Sequence, residues 1–176
     1  MTEIVFETHS ATVDNEHGVA TGWLPGALSG TGRRQARELG ERRAKDRFDA
    51  IFSSDLARAA DTVTHAFASR RVPVVLDWRL RECNYGDLNG SPVSVLHRER
   101  HIDLAYPSGE SWRQAVSRVG LFVCELQDRW PAGRVLVIGH TATRWGLEHL
   151  LNKVSLEELV AESFDWQPGW EYVLHL

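Results

Sequence analysis

The sequence predicts an α/β domain built on a mainly parallel sheet with helices on both faces. Three observations carry that expectation. Short apolar runs alternate with helical stripes along the whole chain. The runs are continuously apolar rather than alternating, as strands buried on both faces are. No repeat, low-complexity tract or linker interrupts the pattern, so residues 1–176 read as one domain of ordinary size.

The elements follow in order. Residues 3–7 (EIVFE) form the first strand, and a polar, Gly-rich loop then runs to a helix start near Ser29–Thr31, with Ala36, Leu39 and Gly40 on one face. DAIFSSD is a short buried strand; Ser54 or Asp55 is placed to cap the next helix, where Leu56, Ala59, Val63 and Phe67 recur at spacings of three and four. VPVVLD is a third strand. From Trp78 to Pro107 the pattern is weak and polar, an excursion from the sheet. Ser108–Glu110 open a helix striped by Val116, Val119, Val123, Leu126 and Trp130. RVLVIGH is a fourth strand, TRWGLEHLL lies on a helix, and WEYVLHL closes the chain as a strand.

Composition excludes several functions. The hydrophobic fraction is 43% and the formal net charge is −4, which gives no electrostatic case for nucleic acid or an anionic membrane. No apolar run approaches the roughly 18 residues that span a bilayer. The N-terminus lacks a basic and then apolar leader, and the two cysteines, Cys83 and Cys124, have neither CxxC nor zinc spacing. A cytoplasmic protein with reduced thiols is the expectation. Of the eight histidines only His97 and His101 stand at HxxxH spacing, none at HExxH, and no metal or other cofactor is expected.

Ligands of such sheets bind at the carboxyl ends of the strands. Two strands, IVFETH and RVLVIGH, run straight into a histidine there, His9 and His140. A third, AIFSSD, delivers Arg58 to the first turn of the helix that follows, where free backbone N–H groups already favour an anion. Two imidazoles, an arginine and a helix N-terminus at one sheet edge describe a site for an oxyanion.

Those residues sit in a series of motifs that resembles the histidine phosphatase superfamily, the group that includes the phosphoglycerate mutases. Thr8-His9-Ser10-Ala11-Thr12 with Asn15 stands where the family has Arg-His-Gly-Glu-Thr and an Asn. Gly22-Trp23, the Leu28–Ala36 stretch LSGTGRRQA, SSDLARAADT from Ser53, LRECNYGDLNG from Leu80, GES from Gly109 and VLVIGH from Val135 follow in the family's order over nearly the whole chain. The resemblance implies a phosphoglycerate mutase-like three-layer sandwich. It further implies a metal-independent phosphatase acting on a small phosphorylated metabolite, with His9 as nucleophile, Glu82 as the acid for the leaving oxygen, and Arg58 and His140 on the phosphoryl oxygens. Thr8, Asn15, Thr21, Gly22 and Thr141 would line the phosphate site. Mutase activity is disfavoured because the stretch after SSDLARAADT is short.

The departures gather in the first motif: Thr8, Ser10 and Ala11 replace Arg, Gly and Glu, and Val19 and Thr21 replace an Arg and a Gln. One of the family's two phosphate-binding arginines is thereby missing, which points to a less cationic site and a less charged or larger leaving group. Arg144, four residues after His140, could fill the gap, although a surface position is the simpler reading. Taken singly, Glu82 would pair with Arg79 or Arg81, and Asn15 would be a turn residue. Two other functions fit the same residues: His/Glu acid–base chemistry on a substrate without phosphate, and a non-catalytic phosphate-binding relative. Trp23, Tyr85, Tyr106 and Trp112 are candidates for the mouth. The sequence does not give an oligomeric state.

Overall fold

The computed structural model describes residues 1–175. The chain runs β1 (Thr2–Thr8), α1 (Val13–Glu16), β2 (Val19–Ala20), α2 (Gly30–Arg42), β3 (Ala50–Ser53), α3 (Ala57–Phe67), β4 (Val74–Leu76), β5 (Ser91–Pro92), α4 (Trp112–Arg129), β6 (Gly133–Gly139), α5 (Thr141–Leu151), α6 (Leu156–Ala161) and β7 (Trp170–Leu174). Five strands make one sheet in the order β4-β3-β6-β1-β7. All neighbours are parallel except β7, which returns antiparallel along β1. Among the described residues no helix is long and apolar enough to cross a membrane.

Strand alternation assigns the layers. Val5, Ile51, Leu136 and Ile138 point to one face and pack with Leu39 of α2 and with Ala59, Val63 and Phe67 of α3. Ile4, Phe6, Phe52, Val135 and Val137 point to the other, against Val119, Phe122, Val123 and Leu126 of α4 and Leu147 of α5. The result is the expected three-layer sandwich. A third apolar cluster, built on Tyr85, Trp112 and Trp145 with Leu156 and Leu159 of α6, anchors the polar excursion above the sheet.

Several local expectations change. Neither Ser54 nor Asp55 caps α3 through its side chain, and the N-cap is Leu56. Asp55 instead takes a two-pronged ion pair from Arg81 at 2.7 and 2.6 Å, a stronger bond than a cap provides. Ser108–Glu110 form a turn rather than a helix start. Ser108 has φ 58°, and Ser111 caps α4 in a reciprocal pair with Gln114. The third strand is cut to Val74–Leu76 at the sheet edge, with all three residues exposed. The excursion contains short 3₁₀ turns and β5, which pairs with β2.

Candidate active site

The sheet sets the distance between the two histidines. In the β1–β6 ladder Thr8 pairs with Gly139, and the His9 N–H extends it by donating to the Gly139 carbonyl at 3.0 Å. His9 and His140 therefore leave adjacent strands at the same level. Their rings stand 4.9 Å apart between centroids, tilted by 53°.

His9 Nδ1 lies 2.8 Å from the Ser10 carbonyl. A carbonyl only accepts, so Nδ1 carries the hydrogen and Nε2 keeps a free lone pair. Burial, with Arg58 nearby, lowers the pKa of His9 to about 3, although the Ser10 hydrogen bond opposes the shift. His140 is lowered in the same direction by burial, Arg58 and His9. Both rings are thus neutral near pH 7. His140 is 1% exposed, and neither of its ring nitrogens has a protein partner.

Arg58 occupies the first turn of α3 and is 2% exposed. It donates to the carbonyls of Gly22 and Leu24 at 2.8 and 3.0 Å. Among the described residues it has no carboxylate partner, and a buried cation without an anion is costly. The loop it holds depends on Gly22, which has φ 53°; a Cβ there would lie 1.8 Å from Asn89 Oδ1. Asn89 uses that oxygen to accept the N–H groups of Trp23 and Tyr85.

Glu82 pairs with neither neighbouring arginine: Arg79 goes to Asp77 and Arg81 to Asp55. Its Oε1 accepts the N–H of Cys83 at 2.9 Å and of Ala142 at 3.0 Å. Two donors on Oε1 leave Oε2 as the oxygen able to carry a proton.

His9, Arg58, Glu82 and His140 line one cleft of about 660 Å³, together with Thr8, Asn15, Thr21, Gly22 and Thr141. Some of these side chains also have local duties. Asn15 and Thr12 cap α1 reciprocally, so the turn role holds alongside the cleft position. The Thr21 hydroxyl donates to Asp14 at 2.8 Å. Arg144 does not reach the cleft: its guanidinium lies 5.6 Å from the Trp170 ring and 3.6 Å from Glu162. Of the four aromatics suspected at the mouth, only Tyr85 lines it. Tyr106 and Trp112 are 1% and 0% exposed and belong to the core. Trp23 donates its Nε1–H to the Glu82 carbonyl at 2.7 Å and lies under Arg81.

The cleft also has walls that sequence reasoning missed. Arg98, from the excursion, and Arg42, Phe164 and Trp166 all line it. Arg98 Nε is buried without a protein partner. Arg98, Phe164 and Trp166 lie at no strand end and on no periodic face, so they carried no signal, whereas Arg42 follows Gln35, Glu38 and Leu39 along one side of α2, a helical spacing present in the sequence. Among the described residues no three His, Cys, Asp or Glu side chains are grouped to hold a metal ion.

Comparison with known proteins follows the same line. The sequence model of the histidine phosphatase superfamily (branch 1) matches residues 4–165. The chain is 29% identical over 155 residues to the uncharacterized phosphatase PhoE of Bacillus subtilis, covering 88% of this chain and 78% of that protein. It is 30% identical over 190 residues to 2,3-bisphosphoglycerate-dependent phosphoglycerate mutase 2 of Gloeobacter violaceus, covering 95% and 87%. The solved structure of a mycobacterial glucosyl-3-phosphoglycerate phosphatase complexed with VO3 superposes with a TM-score of 0.81 at 28% identity, over 92% of this chain and 87% of that one.

Proposed function

The chain belongs to the histidine phosphatase superfamily, and on that footing we propose that it hydrolyses a small phosphorylated metabolite, without a metal, through a phosphohistidine on His9. The observation that carries this reading is the pairing of a neutral His9, its Nε2 lone pair free, with an unpartnered His140 and a buried Arg58 lacking a carboxylate. A nucleophile and anion-binding groups converge, and the anion itself would compensate the buried cation.

His9 Nε2 attacks phosphorus as the bond to the leaving oxygen breaks. The leaving oxygen takes a proton from Glu82 Oε2 and departs as an alcohol. Arg58, an N–H of His140 and the free N–H at the start of α5, Thr141, hold the three phosphoryl oxygens as charge moves through them. Water then gives its proton back to Glu82, its oxygen attacks phosphorus, and the P–N bond breaks to release inorganic phosphate. Neutrality of His9 matters at the first step, because a protonated imidazole has no lone pair to offer.

Rapid quenching into alkali during turnover, followed by peptide mass spectrometry, tests the reading. A phosphohistidine on the peptide carrying His9 is expected, absent in His9→Ala. Turnover of phosphate monoesters with no labelled histidine would overturn it.

A further inference from the structure

The cleft reaches well past the groups that would hold a phosphoryl moiety. At about 660 Å³ it has the size of a site for a drug-sized ligand, roughly 300–1,000 Å³. Its lining includes two aromatic side chains open to solvent, Phe164 and Trp166, which are 53% and 56% exposed and lie between α6 and β7.

Trp166 is not a loose surface ring. The Arg42 guanidinium lies 5.8 Å from its centroid, and Arg42 is held by Glu7 at 3.1 Å. Glu7 is 2% exposed and also binds Arg43 at 2.8 Å. Arg43 in turn donates to the Pro168 carbonyl at 3.1 Å, two residues beyond the indole. The turn closes tightly there: Gly169 has φ 92°, and a Cβ on it would lie 2.1 Å from Arg43 Nη2. Phe164 is braced separately by the Trp170 ring at 6.5 Å. A carboxylate buried in the strand that carries the nucleophile is expensive unless paired. Here its two arginines serve to fix the rim of the cleft.

The charge at this end narrows the occupant. Arg42 is committed to Glu7, and Glu38, one turn before it on α2, is an exposed carboxylate without an ion-pair partner among the described residues, while the unpartnered Arg98 comes to the cleft from the excursion. That setting disfavours an anion and suits a flat, uncharged or cationic ring over the indole.

We propose that the substrate's leaving group carries a planar ring, aromatic or heteroaromatic, that stacks on Trp166 at the rim tethered by Glu7, Arg42 and Arg43. The proposal rests on the phosphatase reading of the inner end of the cleft. Trp166 is then a specificity-determining residue that touches the substrate away from the reacting atoms.

Benzyl phosphate and n-butyl phosphate both release an alcohol of similar acidity, so their kcat/KM ratio isolates the ring. The wild type should favour the benzyl ester by about 5- to 150-fold, the range of aromatic stacking on a side-chain platform. Trp166→Ala should bring the ratio near one, and Trp166→Phe should keep most of it. Equal handling of the two esters by the wild type, or a Trp166→Ala loss shared in proportion by both, overturns the proposal. Calorimetric binding of benzylphosphonate and butylphosphonate to the wild type and Trp166→Ala reads the same preference without turnover. A preference there with no phosphohistidine and no hydrolysis supports the ring site and sinks the phosphatase reading. Hydrolysis without ring preference in either assay does the reverse.

Discussion

Keeping His9 neutral has a cost in stability that appears as the solution is acidified, and His9→Gln should remove it. The unfolded chain takes up the His9 proton as pH falls through 6.5, whereas the native imidazole refuses it until about 3. Below 6.5 the unfolded state therefore binds more protons, and stability falls with pH. Each unit is about 1.4 kcal/mol. At pH 5, one and a half units into the window, the loss is about 2 kcal/mol, and it would saturate near 5 kcal/mol below pH 3. The ring borders an open cleft, and screening there brings the expected effect at pH 5 to about 1–2 kcal/mol. His140 is depressed in the same direction and adds its own loss over the same window. Urea unfolding followed by circular dichroism at pH 8 and pH 5, on the wild type and His9→Gln, isolates the first group. The wild type should lose about 1–2 kcal/mol more between the two pH values than the variant. Identical losses would show that the native ring titrates as it does in the unfolded chain, and the neutral-nucleophile argument would fail with it.

Other expectations follow from the same geometry. Glu82→Gln should slow n-butyl phosphate by about 10²–10⁴-fold while barely affecting p-nitrophenyl phosphate, whose leaving group needs no proton; equal losses would remove Glu82 as the acid. Arg58→Met should lower kcat/KM on either ester by about 10²–10³-fold, as loss of a preorganised charge does; a change under about threefold would remove Arg58 from the phosphoryl site. Arg144→Ala should leave kcat/KM within about twofold and cost about 1–2 kcal/mol in urea unfolding, because this arginine packs on Trp170. With Arg144 outside the cleft, Thr8→Arg should raise kcat/KM on phenyl phosphate by about tenfold through a second cationic fork, and an unchanged rate would show that the position does not face the anion.

The strands and their helices were legible because burial on both faces writes continuous apolar runs, and the stripe of α4 keeps its helical period through Leu126. The places of His9, Arg58 and His140 were legible for a related reason: each follows directly on a strand or opens the next helix, so topology alone brings them to one edge. Other features carried no such mark. The antiparallel course of β7 depends on where the chain returns, and its apolar run reads the same in either direction. Tyr106 and Trp112 looked like mouth aromatics because they fall in a polar stretch, but that stretch folds back and buries them. Phe164 and Trp166 lie in an irregular segment whose position is set by Arg42 and Arg43, far away in sequence. Asp55 has the residue type and place of a cap, and only the approach of Arg81 from another segment shows why it does not serve as one.

The two arms of the site are joined to the sheet differently. The His9 amide is a rung of the β1–β6 ladder, and β1 is paired on both edges. Trp166 is held through side-chain contacts to α2 from a segment with no strand partner. Amide exchange at His9 thus requires the central ladder to open, an event near global unfolding, whereas the rim can loosen while the sheet stays closed. On the proposed roles of Trp166 and His9, the molecule would have two thresholds: one at which it loses discrimination among ligands, and a higher one at which it loses the reacting centre itself.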